Sequence, residues 1–288
     1  MGRVKHERND LNRKEELFEL AKLEKPKIGI FSLTGCGGDQ LMILNLEPVL
    51  LDLLSRFDIK DFQEGSSYKE DVELDIALVE GSVSTKTDLE KLKKIRERSK
   101  MLIAIGDCAI GGCVQAMRNG QMSMEERMRK VYGVSEDYYD VLEPKGLSSY
   151  VKVDLEIPGC PIEKDEILHA ITSLLHGDVP EEIDYPVCVE CKLNGYPCVL
   201  VEKGMPCLGP LITAGCNARC PGLGLDCIGC RGPIPNEANV AAELKVLLEK
   251  GYDEQYILNK LRFFGGNFED IQNLTKKLSE KSGKEEGE

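Results

Sequence analysis

The chain has 288 residues, enough for one large domain or two modest ones, and two are the better starting hypothesis. Its 42% hydrophobic and 30% charged residues exclude collagen-like and fully disordered chains, and no apolar run approaches the thickness of a bilayer. The formal net charge of −13 argues against a broad nucleic-acid surface, because phosphate binding relies on clustered Lys and Arg. We therefore expect proteins or small molecules as partners, and neither nucleic acid nor a membrane.

Residues 1–26 are polar and carry a short helical pattern around Leu17, Leu20 and Leu23. We interpret them as an arm that contacts a neighbouring subunit. This stretch is charged throughout and lacks the apolar segment or twin arginine of an export signal. The sequence therefore predicts a cytoplasmic protein with reduced thiols, with structural disulfides of the hyperthermophile kind as an alternative.

Residues 27–180 alternate between strand and helix patterns. Strands are predicted at Ile28–Leu33, Leu74–Val79, Met101–Ile105 and Val151–Ile157, and helices at Leu41–Leu54, Asp88–Lys100, a stretch that ends at Met128, and Glu163–Leu175. Such alternation favours an α/β fold with a mostly parallel, doubly wound sheet.

Residues 181–235 have a different character, because they hold eight of the twelve cysteines among Gly and Pro. A segment with so few large apolar residues cannot stabilise itself through a hydrophobic core, so something must cross-link it. In residues 236–288 helical periodicity returns at Val240–Leu248, Glu254–Leu261 and Phe268–Leu278. These last residues are predicted to form a helical extension.

Three cysteines follow three of the predicted strands, each in a Gly-containing turn: Cys36, Cys108 and Cys160. The carboxyl ends of parallel strands meet at one edge of a sheet, which is where ligands bind in such folds. Each cysteine alone would read as a small buried residue, but three at successive strand ends are hard to explain by packing. Glycines there let backbone N–H groups approach an anionic cluster, so we predict an iron–sulfur site.

A cubane cluster needs a fourth ligand, and two residues compete for this role. Asp39 stands at the position that a C-x2-C pair with Cys36 would use, and a carboxylate binds iron as a harder and weaker donor than a thiolate. Cys113 follows Cys108 after four residues. We favour Asp39, because its spacing from Cys36 is that of a chelating pair.

The remaining cysteines form a nearly palindromic series, with 2, 6, 8, 8, 3, 6 and 2 residues between them. They are Cys188, Cys191, Cys198, Cys207, Cys216, Cys220, Cys227 and Cys230. Eight thiolates match two four-thiolate cubanes, although the spacing leaves their division between the clusters open. The alternative is a zinc-stabilised interaction protein in which Cys188/Cys191 and Cys227/Cys230 form a zinc ribbon. The gap between these two pairs is longer than in zinc ribbons, and such a site would leave four cysteines unused.

Catalytic motifs are missing from the chain. No GxGxxG follows a predicted strand, there is no P-loop, and the three histidines are too few for a catalytic metal. The clusters are therefore expected to relay electrons, with the substrate chemistry in other subunits. Glu80 also falls at a strand end, where it either contacts a partner or the cluster's hydrogen-bond network, or is a solvated acid at a turn.

The strand-end motifs resemble those of the small subunit of [NiFe] hydrogenases and of its relative in respiratory complex I. They comprise Cys36 in its turn, Val79-Glu80-Gly81-Ser82-Val83, Gly106-Asp107-Cys108-x-x-Gly111-Gly112 and Gly159-Cys160-Pro161. The cysteine-rich segment is similar to that of a subgroup in cytoplasmic archaeal enzymes, namely sulfhydrogenase delta subunits and their equivalents in F420-linked and methyl-viologen-reducing hydrogenases. The chain departs from the family at Asp39, where a cysteine is usual, and at Cys113, where a second Gly is usual.

The resemblance implies a flavodoxin-like domain with the cluster nearest the nickel–iron site, followed by a ferredoxin-like domain with two more [4Fe-4S] clusters. It implies a nickel–iron large subunit docked over the strand ends, flavin-bearing and iron–sulfur partner subunits, and a heterotetramer. The electron acceptor would be NAD(P) or polysulfide, and the alternative is a relay for an F420-linked or heterodisulfide-reductase-linked hydrogenase.

Overall fold

The structure, a computed structural model, describes residues 17–47, 49–134, 140–235, 238–269 and 271–273. The chain divides into two compact units. The first unit comprises the described residues up to 110 together with 145–182, and the second comprises those between 111 and 144 and from 183 onward. None of the helices in the described ranges is long and apolar enough to cross a lipid bilayer.

Strands and helices are interspersed up to residue 175, and helices follow from there on. The strands are β1 (Lys27–Ser32), β2 (Asp58–Phe62), β3 (Leu74–Glu80), β4 (Val83–Thr85), β5 (Ser99–Ile105), β6 (Val141–Lys145) and β7 (Leu155–Ile157). The helices are α1 (Gly38–Leu44), α2 (Leu50–Ser55), α3 (Lys86–Glu97), α4 (Gly106–Gly111), α5 (Met124–Tyr132), α6 (Lys164–Leu175), α7 (Val187–Leu193), α8 (Val199–Glu202), α9 (Arg219–Gly222), α10 (Val240–Glu249) and α11 (Glu254–Gly265).

The first unit is built on a five-stranded sheet in the order β2-β1-β3-β5-β7, and all its pairings are parallel. The predicted α/β fold with a parallel sheet is confirmed. Strands β3 and β5 are buried almost throughout, as expected for parallel strands covered on both faces. Strand β2 lies on one side of β1, and β3, β5 and β7 follow on the other side, so the order of the strands switches between β1 and β3. The crevice at the carboxyl ends of these two strands is where such a topology binds a ligand.

Alternate residues of the strands form the core of the first unit. Ile28 and Ile30 of β1 and Ile76 and Leu78 of β3 pack with apolar residues of α1, α2 and α6. Leu17 and Leu20 are buried in the same core, so this part of the predicted arm packs on its own chain instead of a neighbour. Two leucines three residues apart present one apolar helical face, which explains this packing.

Several predicted boundaries differ from the structure. The helix expected at Leu41–Leu54 is divided into two helices, α1 and α2. Helix α1 ends at Leu44, with Asn45 as its C-cap, and α2 begins at Leu50. Helix α3 begins before Asp88, since Thr85 and Asp88 form a capping box in which Asp88 is the third helical residue. Strand β2 has no counterpart in the prediction, because it is an edge strand in which only Phe62 is buried.

The second unit packs α10 and α11 against the cysteine-rich segment, with Cys207 and Cys227 inside its apolar core. Residues 111–144, predicted as part of the α/β domain, belong to this unit. Buried Arg262 of α11 donates hydrogen bonds to the carbonyl oxygens of Met117 and Asn119, which ties the two parts together. Of the helix predicted at Phe268–Leu278, residues 274–278 lie outside the described chain.

Candidate metal centre

The loops after β1, β3, β5 and β7 surround a cavity of about 90 Å³ in the first unit. It is lined by Gly35, Cys36, Gly38, Asp39, Glu80, Gly81, Asp107, Cys108, Gly159, Cys160 and Pro161. The predicted ligands Cys36, Asp39, Cys108 and Cys160 therefore lie around one space. A volume of this size exceeds what a single water molecule needs.

Asp39 is a buried carboxylate held between two loops. Its Oδ1 accepts a hydrogen bond of 2.9 Å from the backbone N–H of Ile162. A side chain on Gly106, whose φ is +81°, would overlap Oδ2, so only glycine leaves room for the carboxylate. Burial is the main cause that raises the pKa of Asp39 to about 7. The hydrogen bond from the Ile162 N–H lowers this pKa, and the negative charge of nearby Glu80 raises it. A carboxyl group that is this costly to ionise favours a cation beside it.

Glu80 lies at the end of β3 with 1% of its surface exposed, so the interpretation as a solvated acid is wrong. Its Oε2 accepts the backbone N–H groups of Asp39 at 3.1 Å and Gln40 at 3.2 Å, and its Oε1 accepts the Gln40 amide at 3.2 Å. The side-chain oxygen of Gln40, Oε1, in turn accepts a hydrogen bond from the backbone N–H of Glu64. Burial raises the pKa of Glu80, while the N–H of Gln40 lowers it. Glu80 thus holds the start of α1, which carries Asp39.

Cys113 has a different position. It is fully buried, has a left-handed backbone with φ of 49°, and begins a short 3-10 helix, Cys113–Ala116. It is not among the residues that line the cavity. Asp39 lines the cavity, and its role as the fourth ligand stays a prediction.

The strand-end residues fit an iron–sulfur cluster by their chemistry. Three thiols and the three carboxyl groups of Asp39, Glu80 and Asp107 line the cavity, and the rest of its wall is four glycines and Pro161. Thiolates are the normal ligands of such clusters, and glycine walls let backbone N–H groups come close to sulfide. The turn after β1 is tight, since a Cβ on Gly38 would lie 3.2 Å from Sγ of Cys36.

In the second unit, a first thiol group consists of Cys188, Cys191, Cys198 and Cys207. Cys188 and Cys191 are one helical turn apart on α7, and a Cβ on Gly209 would lie 3.4 Å from Sγ of both Cys188 and Cys207. Burial is the main cause that raises the pKa of Cys188 to about 11, and the ionised thiols of Cys207, Cys191 and Cys198 contribute to this rise. Four mutually repelling thiolates need a cationic centre to hold them together.

The other four cysteines of this segment, Cys216, Cys220, Cys227 and Cys230, are called the second thiol group. Cys220 lies on α9, directly after the turn that carries Cys216. Burial raises the pKa of Cys227 well above its usual value, the N–H of Gly229 lowers it, and ionised Cys207, Cys230 and Cys216 would add to the rise. The backbone N–H of Cys227 also donates to Sγ of Cys207 at 3.3 Å, which connects the two groups.

The zinc alternative needs Cys188 and Cys191 to share one metal ion with Cys227 and Cys230. In the grouping given above, these two pairs fall into different thiol groups. Eight thiols in two groups of four would suit two polynuclear centres, which take thiolates as their normal ligands.

Known protein families and proteins include clear relatives of this chain. Residues 36–174 match the family model of the NADH ubiquinone oxidoreductase 20 kDa subunit. The chain is 47% identical over 238 residues to sulfhydrogenase 2 subunit delta of Pyrococcus furiosus, which covers 83% of this chain and 98% of that protein. It is 33% identical over 254 residues to a subunit of the vhu F420-non-reducing hydrogenase of Methanocaldococcus jannaschii, covering 75% and 85% of the two chains.

One solved structure is similar in both fold and sequence. A chain in the crystal structure of an NAD+-reducing [NiFe]-hydrogenase in the H2-reduced state matches with a TM-score of 0.50 and 29% identity. The match covers 55% of this chain and 95% of that chain. The resemblance that the motifs indicated is thereby confirmed.

Proposed function

Because the chain belongs to the family of hydrogenase subunits that includes sulfhydrogenase delta and its counterparts in F420-non-reducing hydrogenases, we propose that it relays electrons through three [4Fe-4S] clusters. The chain is a subunit of an oxidoreductase complex, in which we propose a non-catalytic, electron-transferring role for it. The observation that carries the proposal is the convergence of three thiols and Asp39 on one cavity at the strand ends.

We assign the cluster of the first unit to Cys36, Asp39, Cys108 and Cys160. The strand order β2-β1-β3-β5-β7 supports a flavodoxin-like domain with its ligand site at this edge. When bound, such a cluster accepts and passes on one electron at a time. Ile162 and Gly106 orient Asp39 toward the cluster, and Glu80 fixes the helix start from which Asp39 projects.

We assign the other two clusters to the two thiol groups of the second unit, within a ferredoxin-like segment at 181–235. The first group is supported by the influence of Cys207, Cys191 and Cys198 on the pKa of Cys188 and by the position of Gly209 beside Cys188 and Cys207. The second group takes the four remaining cysteines, of which Cys216 and Cys230 act on the pKa of Cys227. Burial raises the pKa of Cys188, Cys191, Cys207, Cys216 and Cys227, and since metal binds the thiolate form, cluster assembly would release protons. The apolar residues around Cys207 and Cys227 exclude water from the ligands.

The partners follow from the family. Hydrogenases of this kind are multi-subunit, and we propose that a nickel–iron large subunit docks over the strand ends, beside the first cluster. Flavin and iron–sulfur subunits would complete a cytoplasmic heterotetramer that reduces NAD(P) or polysulfide. The similarity to F420-non-reducing hydrogenase subunits keeps a relay for a heterodisulfide-reductase-linked hydrogenase as the second candidate.

The test is the metal content of the complex purified without oxygen. We expect about twelve irons and as much acid-labile sulfide in this chain, four for each of three clusters, with nickel and flavin in the co-purifying subunits. A colourless sample that contains zinc and no labile sulfide would rule out the proposal.

A further inference from the structure

We propose that Glu190 and Arg231 are positioning residues that hold the turn of Cys216 and set the redox properties of the cluster bound by the second thiol group. This role rests on the proposed function, because it concerns a cluster that the chain would bind. Neither residue is a ligand, and the sequence alone gives no sign that either is buried.

The turn that carries Cys216 has an unusual backbone. Gly215, Asn217 and Ala218 all have positive φ values, of 112°, 53° and 48°. Residues with a Cβ rarely adopt this region, and two such residues in succession do not hold themselves there. Other parts of the chain must therefore stabilise the turn.

Glu190 supplies one of these restraints from α7, where it stands between Cys188 and Cys191. It is 9% exposed, and its carboxylate accepts the N–H of Gly215 at 2.8 Å and that of Ala218 at 3.0 Å. The two N–H groups flank Cys216. One carboxylate thus binds both sides of the turn to the helix that carries ligands of the first thiol group.

Arg231 supplies the other restraint from the residue after Cys230. It is 1% exposed, and its Nε donates to the carbonyl oxygens of Ala214 at 2.6 Å and Thr213 at 3.3 Å. Its guanidinium lies so close to Gly215 that a side chain there would overlap it. The segment that enters the turn is therefore fixed by the same loop that carries Cys230.

The two side chains act on the sulfur of Cys216 with opposite charge. The Glu190 carboxylate binds the N–H groups of Gly215 and Ala218 on either side of Cys216, and the Arg231 guanidinium lies against Gly215. Reduction adds a negative charge to an iron–sulfur cluster, so a buried cation favours the reduced state and a buried anion opposes it. Removing each charge should therefore move the reduction potential in opposite directions.

The experiment is an EPR-monitored redox titration of the complete complex with Arg231→Gln, Arg231→Lys and Glu190→Gln. We expect one cluster to shift to lower potential in R231Q, to shift to higher potential in E190Q, and to stay nearer the wild-type potential in R231K. The same cluster should change in Cys220→Ser, while the other two clusters keep their potentials. Lys245→Gln and Glu249→Gln, on the exposed face of α10, are the charge-matched controls.

Iron content keeps the test decisive if a variant assembles poorly. Loss of about a third of the iron in R231Q, recovered in R231K, would support the positioning role. Potentials that are unchanged, or that move in the same direction in R231Q and E190Q, would overturn it. A wild-type chain without three clusters would instead count against the proposed function.

Discussion

The backbone N–H of Ile162 donates a hydrogen bond of 2.9 Å to Oδ1 of Asp39, although 123 positions separate the two residues in the chain. This bond joins the start of α1 to the loop after β7, which also carries Cys160. One contact therefore fixes the Asp39 carboxylate relative to the loop of Cys160, at the edge of the cavity.

The first prediction concerns the identity of that donor. Asp39→Cys should retain a four-iron cluster in the first unit, because a thiolate is the usual ligand and is softer than a carboxylate. Its redox signal should change, which EPR of the reduced complex can measure. Cys113→Ser should leave the cluster intact, since Cys113 does not line the cavity. An unchanged spectrum in the first variant, with cluster loss in the second, would assign the ligand to Cys113.

The second prediction tests the space beside Asp39. Gly106→Ala should displace the carboxylate, because the new Cβ would overlap Oδ2 of Asp39, and the cluster of the first unit should be lost. Iron content and EPR should show the other two clusters unchanged. Gly120→Ala is the matched control, since Gly120 also has a positive φ but nothing lies within 4 Å of its Cβ position. Equal cluster loss in both variants would mean that backbone strain, and not the contact with Asp39, is responsible.

The third prediction concerns Glu80 and the start of α1. Glu80→Ala leaves the N–H groups of Asp39 and Gln40 without their buried acceptor, at a cost of about 1–3 kcal/mol in the free energy of unfolding. Hydrogen–deuterium exchange at these two amides should become faster. Glu80→Gln retains one acceptor oxygen and should have a smaller effect. Unchanged protection in Glu80→Ala would show that the carboxylate does not hold the helix start.

The convergence of Cys36, Cys108 and Cys160 could be predicted from sequence, because parallel strands place their carboxyl ends at one edge of a sheet. The same reasoning does not predict the hydrogen bond between Asp39 and Ile162, because that bond depends on how two segments distant in sequence pack together. Strand β2 escaped prediction for a related reason. It is an edge strand whose residues are mostly exposed, so its pairing with β1, and not its own pattern, defines it.

The second unit was harder to predict for a physical reason. The eight cysteines identify it as a ligand-rich segment, but spacing along the chain does not say which thiols share a centre. Their grouping depends on the fold of Gly- and Pro-rich turns. The burial of Arg231 beside the Cys216 turn is likewise set by neighbours remote in sequence, since an Arg after Cys230 has no local pattern that marks it as internal.

The last prediction concerns Glu243 on α10, which is 5% exposed and whose Oε1 has no hydrogen-bond partner among the described residues. Burial raises the pKa of Glu243 from 4.5 to about 7. Between these two values the folded chain binds a proton that the unfolded chain has lost, so the contribution of this group to stability falls as pH rises through the window. Ionisation at pH 8 then costs on the order of 3 kcal/mol.

Glu243→Gln should therefore raise the unfolding temperature at pH 8 and have little effect at pH 4.5, where the native carboxyl group is already protonated. Anaerobic thermal unfolding of the complex at the two pH values measures this difference. Glu249→Gln is the control on the same helix, because its side chain is exposed and should show no such dependence. A gain in Glu243→Gln that is equal at both pH values would mean that the amide improves packing, and that Glu243 is not a buried acid with a raised pKa.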